Sequence, residues 1–372
     1  MPDFRLEKHF ARWEFAARYN LAGSDAESLS LHELLALADS DGRARWESLR
    51  LSYTETFGLP ALREAIAGTY ERVQPEDVVC FAGAEEGIYL AMLALLGRGD
   101  HAVTVTPNYQ AAETVPLAAC EVTGVALNAD DGWQLDLRAV ERALRPNTRL
   151  ISVNFPNNPT GAMPGDATWQ QLVELCEERG IRLFSDEVYR GLERAPRKAL
   201  AQAADLSGTA LSLNVMSKAY GLPGLRIGWI ACRDREVLAK LERAKHYTTI
   251  CNAGPSEVLA LIALRARETI LERNRSYVVE NIELYRSFFA RNRELFAFDP
   301  PQGGCVCFPA YLGDDGVEAM CERLVSEHGL LLLPASLFVS DLTPTPKNRF
   351  RIGLGRNPRM VAEALTIWEN AL

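Results

Sequence analysis

Lys218 is the residue around which chemistry can be built. It stands in the run Ser217-Lys218-Ala219-Tyr220-Gly221-Leu222-Pro223-Gly224-Leu225-Arg226-Ile227-Gly228, after an apolar stretch and inside a loop of small residues. A lysine so placed can reach a pocket without burying its charge in a helix. Its amine attacks a carbonyl to form an imine only after losing a proton, which a dry pocket or a neighbouring cation promotes. Arg226, eight residues on, offers a planar fork suited to a phosphate. Either residue alone is more often a surface cation in water. The lysine, the glycines and the arginine at this spacing are much harder to explain that way.

Other segments carry groups that would complete such a pocket. In Phe184-Ser185-Asp186-Glu187-Val188-Tyr189, Asp186 follows a buried run. A carboxylate there can pair with a protonated ring nitrogen and keep the ring an electron acceptor. Tyr189, three residues on, can donate to a phenolate oxygen. Taken alone, Asp186 reads as a helix cap and Tyr189 as core packing. In Asn154-Phe155-Pro156-Asn157-Asn158-Pro159-Thr160-Gly161 the Pro and Gly mark a turn. If Pro159 fixes that turn, the Asn158 amide faces the cleft. Phe81-Ala82-Gly83-Ala84-Glu85-Glu86-Gly87 passes from strand to helix through small residues, and exposed amides at a helix start bind phosphate. Tyr109, in Pro107-Asn108-Tyr109, can lay its ring on a flat ligand; by itself it reads as packing.

The elements that must position these residues alternate. Apolar runs at 77–81, 101–106, 149–155, 181–185, 210–215 and 226–232 read as strands. Amphipathic stretches at 85–96, 110–119, 136–144 and 166–179 read as helices between them. This pattern predicts an α/β fold with a mostly parallel sheet covered on both faces, whose ligands sit beyond the C-terminal strand ends. Residues 255–293 lack breakers and read as one or two helices. From Glu294 the chain turns to short apolar runs with Gly and Pro and then a final helix, the pattern of a smaller α+β domain. The expected division is residues 1–50 as a segment of the small domain or a dimer arm, 51–290 as the large domain, and 291–372 as the small one.

Composition narrows the function. The 372 residues are 48% hydrophobic and 24% charged, as in soluble globular proteins, and too many for one ordinary core. A net charge of -9 with no basic stripe argues against nucleic acid and anionic membranes. No apolar run approaches the roughly 20 residues that span a bilayer. The amino terminus lacks the apolar core of a signal peptide, so a cytoplasmic setting is expected. The eight cysteines are scattered, which predicts free thiols, and Cys305 and Cys307 read as alternate residues of a strand rather than half of a metal site. The five histidines show no ligand spacing, and no metal is expected.

In order along the chain, Gly83-Ala84-Glu85, Tyr109, Asn158-Pro159-Thr160-Gly161, Asp186-x-x-Tyr189, Ser217-Lys218 and Arg226 resemble the class I/II aminotransferases of the fold-type-I pyridoxal-phosphate (PLP) enzymes. The resemblance implies PLP held by Lys218 as a Schiff base, with the same amine later moving the substrate proton. It implies Asp186 on the ring nitrogen, Asn158 and Tyr189 on the ring hydroxyl oxygen, and Tyr109 on the ring face. The cofactor phosphate would take the amides of Gly83, Ala84 and Glu85, together with Ser217 and Arg226. Tyr53 matches the tyrosine that reaches the phosphate of the neighbouring subunit in a homodimer, and Arg351, in Arg349-Phe350-Arg351-Ile352-Gly353, the arginine that clamps the substrate α-carboxylate. Val215 and the Ala84-Glu85 pair stand where the family often has hydroxyl residues. A glutamate beside a phosphate is tolerable only with its side chain turned away.

The implied reaction moves an amino group from an L-amino acid to a 2-oxo acid. The alternative is a PLP-dependent oxidase, cyclase or lyase acting on an amino acid, since the fold does not fix the chemistry. Ala11-Arg12-Trp13-Glu14-Phe15 resembles the start of arginine-acting members, where Glu14 would meet a basic or polar side chain. The stronger reading of that stretch is an amphipathic helix with Trp13 packed and Glu14 in water. A DNA-binding regulator built on this fold would need an appended basic module, and a nicotinamide enzyme a Gly-x-Gly-x-x-Gly after the first strand. Neither is present.

Overall fold

A computed structural model describes residues 1–194 and 198–372. Seven strands build the central sheet: β1 (Val78–Phe81), β2 (His101–Thr106), β3 (Glu121–Ala126), β4 (Thr148–Asn154), β5 (Arg182–Asp186), β6 (Leu211–Val215) and β7 (Gly228–Ala231). Their order is β1-β7-β6-β5-β4-β2-β3, and β7 alone runs against its neighbours. The mostly parallel sheet expected from the sequence is therefore present. Leu150 and Phe184 join the apolar cluster on one face, while Ile151, Val153 and Leu183 join Trp169, Leu172 and Val173 of the helix Asp166–Arg179 on the other. Burial on both faces is why these strands read as continuous Val, Ile and Leu runs.

One strand of this sheet escaped the sequence reading. β3 (Glu-Val-Thr-Gly-Val-Ala) is a half-exposed edge strand, and Gly124 interrupts its β-forming residues. A side chain at Gly124 would collide with Leu342 and Thr343, which pack on that edge. The stretch 255–293 is two helices, Gly254–Arg265 and Arg267–Arg291. The C-terminal part adds the helix Val317–His328, unassigned from sequence, and strands Val306–Cys307, Leu333–Pro334 and Phe350–Gly353 around the buried Arg351.

The amino terminus divides. Helix α1 (Arg5–Trp13) packs Leu6 and Trp13 against Phe308, Val325 and Phe338, and Tyr19–Asn20 pairs in parallel with Leu330–Leu331. The helices Leu31–Ala36 and Ser40–Glu47 pack instead on Gly254–Arg265. Trp13 is thus packed as expected. Glu14 caps α1 and, partly buried, lines a cavity together with residues 23–25 instead of standing free in water. No helix of the described residues is long and apolar enough to cross a membrane. All eight cysteines are unpaired.

Candidate active site

The C-terminal strand ends deliver the side chains. β4 ends on Asn154, β5 on Asp186 and β6 on Val215, and the loops beyond them carry Asn158, Tyr189 and Ser217-Lys218. β1 leads through Gly83 into helix α2 (Ala84–Leu95). Together with Tyr109, Arg226, and the segment 23–25 they wall a cavity of about 400 Å³. Of the residues singled out from sequence, Ala84, Glu85, Tyr109, Asn158, Asp186, Tyr189, Ser217, Lys218, Arg226 and Glu14 line it. Gly83 backs it, and Arg351 lies behind Asn158. Tyr53 does not join them; it is 88% exposed on the surface.

Each wall is fixed by bonds the sequence supplies. The Asn-Asn-Pro-Thr-Gly turn is stitched internally: Asn157 Oδ1 accepts from the Thr160 hydroxyl at 2.7 Å, and Asn154 Oδ1 accepts from the Asn158 amide at 2.7 Å. The loop carrying Lys218 is tied down by Asn274, whose amide donates to the Ala219 carbonyl at 2.8 Å. Gly83 has a φ of 94°, open to glycine at little cost, and a Cβ there would sit inside the Arg226 guanidinium. Arg226 itself holds a left-handed φ of 50° and reaches carbonyls of Pro223 and Ala82, with no carboxylate partner among the described residues. No side chain caps the start of α2, so its first amides are not taken by a side-chain cap.

Burial sets the charges. The Lys218 amine donates to Ser24 Oγ at 2.8 Å, and burial pushes its pKa down, partly opposed by Asp25. Asp186, 9% exposed, is pushed up to about 7 by burial although the Val188 amide and Lys218 favour its ionised form. The Tyr189 hydroxyl is buried, near Ser24, and makes no hydrogen bond of regular geometry among the described residues. Arg351 is fully buried, donating to Asn158 Oδ1 at 3.1 Å and the Ala22 carbonyl at 2.8 Å, while among the described residues its Nε is unpartnered and no carboxylate pairs with it. A buried guanidinium without an anion is costly, and its pKa is lowered by burial.

Sequence reasoning missed Ser24, Asp25, Asn154 and Glu7. Asp25 lines the cavity and pairs with Arg356 at 3.1 Å. The signals existed, in a Gly-Ser-Asp turn at 23–25 and an asparagine closing a buried strand, but neither is distinctive without the fold. Glu85 differs from expectation: its side chain lines the cavity beside Tyr109, and burial lifts it to about 7.

The family model "Aminotransferase class I and II" matches residues 24–367. The chain belongs to that family. Among its relatives, this aminotransferase-family chain is 28% identical to capreomycidine synthase of Streptomyces vinaceus over 91% of its own length and 87% of the relative's. It is 30% identical to an arginine–pyruvate transaminase of Pseudomonas aeruginosa over 84% and 80%. A PLP-dependent aminotransferase structure from Streptococcus suis superposes with a TM-score of 0.91 at 30% identity, covering 99% of this chain and 97% of the other. The fold is fold type I and the cofactor is PLP.

Proposed function

We propose that this protein moves an amino group from an L-amino acid to a 2-oxo acid, with Lys218 as its catalytic residue. The observation that carries the reading is the desolvated Lys218 amine in one cavity with a buried carboxylate, Asp186, while a buried, anion-free Arg351 stands behind it.

The residues present fit PLP. An orphaned Tyr189 hydroxyl beside Asn158 suits an anionic ring oxygen, and Asp186 suits a protonated ring nitrogen. Tyr109 offers a ring face, and the amides of Gly83, Ala84 and Glu85 with Ser217 and Arg226 suit a phosphate. When bound, the cofactor supplies an electron-accepting ring that stabilises negative charge at the substrate α-carbon. Asp186 keeps that ring protonated. Arg351 holds the α-carboxylate through its planar fork and so orients the Cα–H bond toward Lys218 Nζ, which removes the proton and returns it one position away.

Arg351→Gln is expected to lower kcat/KM by about 10²-fold, the loss of a charge-assisted pair, chiefly through KM. Steady-state kinetics check it; an unchanged KM removes Arg351 from the site.

A homodimer in the cytoplasm belongs to the same proposal. Leu51, Tyr53, Tyr247 and Ile250 are exposed large apolar side chains on two segments joined by the Thr54–Asn252 bond. That surface suits contact with a second copy, with Tyr53 reaching the partner's phosphate. Light scattering should return twice the chain mass.

A second reading, cyclisation, elimination or oxidation of the amino acid, is favoured by the longer match to a synthase than to the transaminase. An amino acid supplied without a 2-oxo acid separates the two. A transaminase stops after one turnover with its absorption shifted, whereas continued product formation overturns the transamination reading.

A further inference from the structure

Three carboxylates line the active-site cavity without an ion pair of their own among the described residues. Glu7 and Glu14 reach it from α1 and its cap, and Glu85 from the first turn of α2. The remaining charges are engaged. Asp25 pairs with Arg356. On the reading above, Asp186, Arg226 and Arg351 meet the ring nitrogen, the phosphate and the α-carboxylate, and Lys218 holds the cofactor. Glu7, Glu14 and Glu85 form no ion pair among the described residues, although nearby cations of α1 do: Lys8 pairs with Asp3 and Arg12 with Glu322.

Local hydrogen bonding does not relieve them. The Tyr109 hydroxyl lies against both Glu7 and Glu85 but has one proton, donated to Glu7 Oε1 at 3.3 Å. Glu85 Oε2 is left buried without a partner. Burial pushes Glu14 and Glu85 toward the neutral form, by more than the nearby Lys218, Arg226 and Arg356 offset. The acids are not spaced as a metal site; no group of the described residues is. Independently, the Tyr189 hydroxyl is 1% exposed in the same wall and makes no hydrogen bond of regular geometry, so it is available to a ligand in this cavity.

We propose that the substrate is an α-amino acid whose side chain ends in a cation, an ammonium or a guanidinium, and that Glu7, Glu14 and Glu85 receive that end. The proposal rests on the amino-acid reading of the site and adds its specificity. An acidic side chain would face carboxylates at the exposed rim, Glu7, and further in, Glu14 and Glu85. A neutral one would leave the last two without a pairing cation where water is partly excluded. A cation compensates them and supplies the hydrogen that Glu85 lacks.

The test compares side chains of matched shape on the PLP-loaded protein: arginine against citrulline, and lysine against norleucine. The wild type is expected to favour each cation in kcat/KM by about tenfold or more, and Glu14→Gln with Glu85→Gln to bring both ratios toward one. Ratios near one in the wild type overturn the proposal, as do ratios unchanged in the double variant. Should that variant not fold, the wild-type ratios decide. The visible spectrum separates the layers. If neutral amino acids shift it and cationic ones do not, the specificity falls and the amino-acid reading stands. If no amino acid shifts it, both fall.

Discussion

Lys218→Ala is expected to leave a folded protein that has lost turnover by about 10⁴-fold or more, the upper range for a positioned acid–base group, with the covalent link lost as well. Folding should survive because the amine makes one side-chain hydrogen bond, to Ser24, and its burial is a cost to the native state. Borohydride reduction of the PLP-loaded wild type followed by mass spectrometry should place a pyridoxyl adduct on Lys218, and the variant should show none. An adduct on another lysine of the wild type, or turnover retained in the variant, would remove Lys218 from its role and the proposed mechanism with it.

Asp186→Asn should act in opposite directions on the empty and the loaded protein. The folded carboxyl is raised to about 7 from an ordinary 3.8, so the native state holds the proton more tightly than the unfolded chain. Its contribution to stability is complete below pH 3.8 and is lost as pH rises through about 7. The asparagine has no such proton to lose. Without cofactor, the variant should therefore melt above the wild type at pH 8 and close to it well below pH 5, a difference on the order of a few kcal/mol. With cofactor the order reverses, since the amide cannot balance a ring cation, and kcat should fall by about 10²-fold or more. Melting curves of both proteins at the two pH values, with and without PLP, check the sign. A wild type that melts higher than the variant at pH 8 without cofactor would contradict the assigned burial cost.

What the sequence disclosed was chemistry confined to short segments. Ser217-Lys218 with Arg226, and Asp186 with Tyr189, lie within a few residues of a strand end, so local spacing carries their geometry. The parallel sheet was equally legible, because strands buried on both faces must be apolar throughout. β3 was not: an edge strand needs only one buried face, and Gly124 is there for Leu342 and Thr343, more than two hundred residues away. The side-chain directions of Glu85 and Glu14 were not legible either. Both face the cavity, alongside Tyr109 and segment 23–25, neighbours that periodicity does not encode. Ser24 acquires meaning only when Lys218 arrives 194 residues later in the chain.

β6 and β7 are the antiparallel pair that closes on Val215 and Gly228, and the loop between them carries both Lys218 and Arg226. The two residues proposed to grip the cofactor therefore sit in the loop of one hairpin. Its closure spans few residues, so the chain can assemble this clamp without first closing the long crossovers of the parallel strands. A residue inserted in that loop would shift both arms out of step, whereas an equal insertion in a crossover would leave their separation intact.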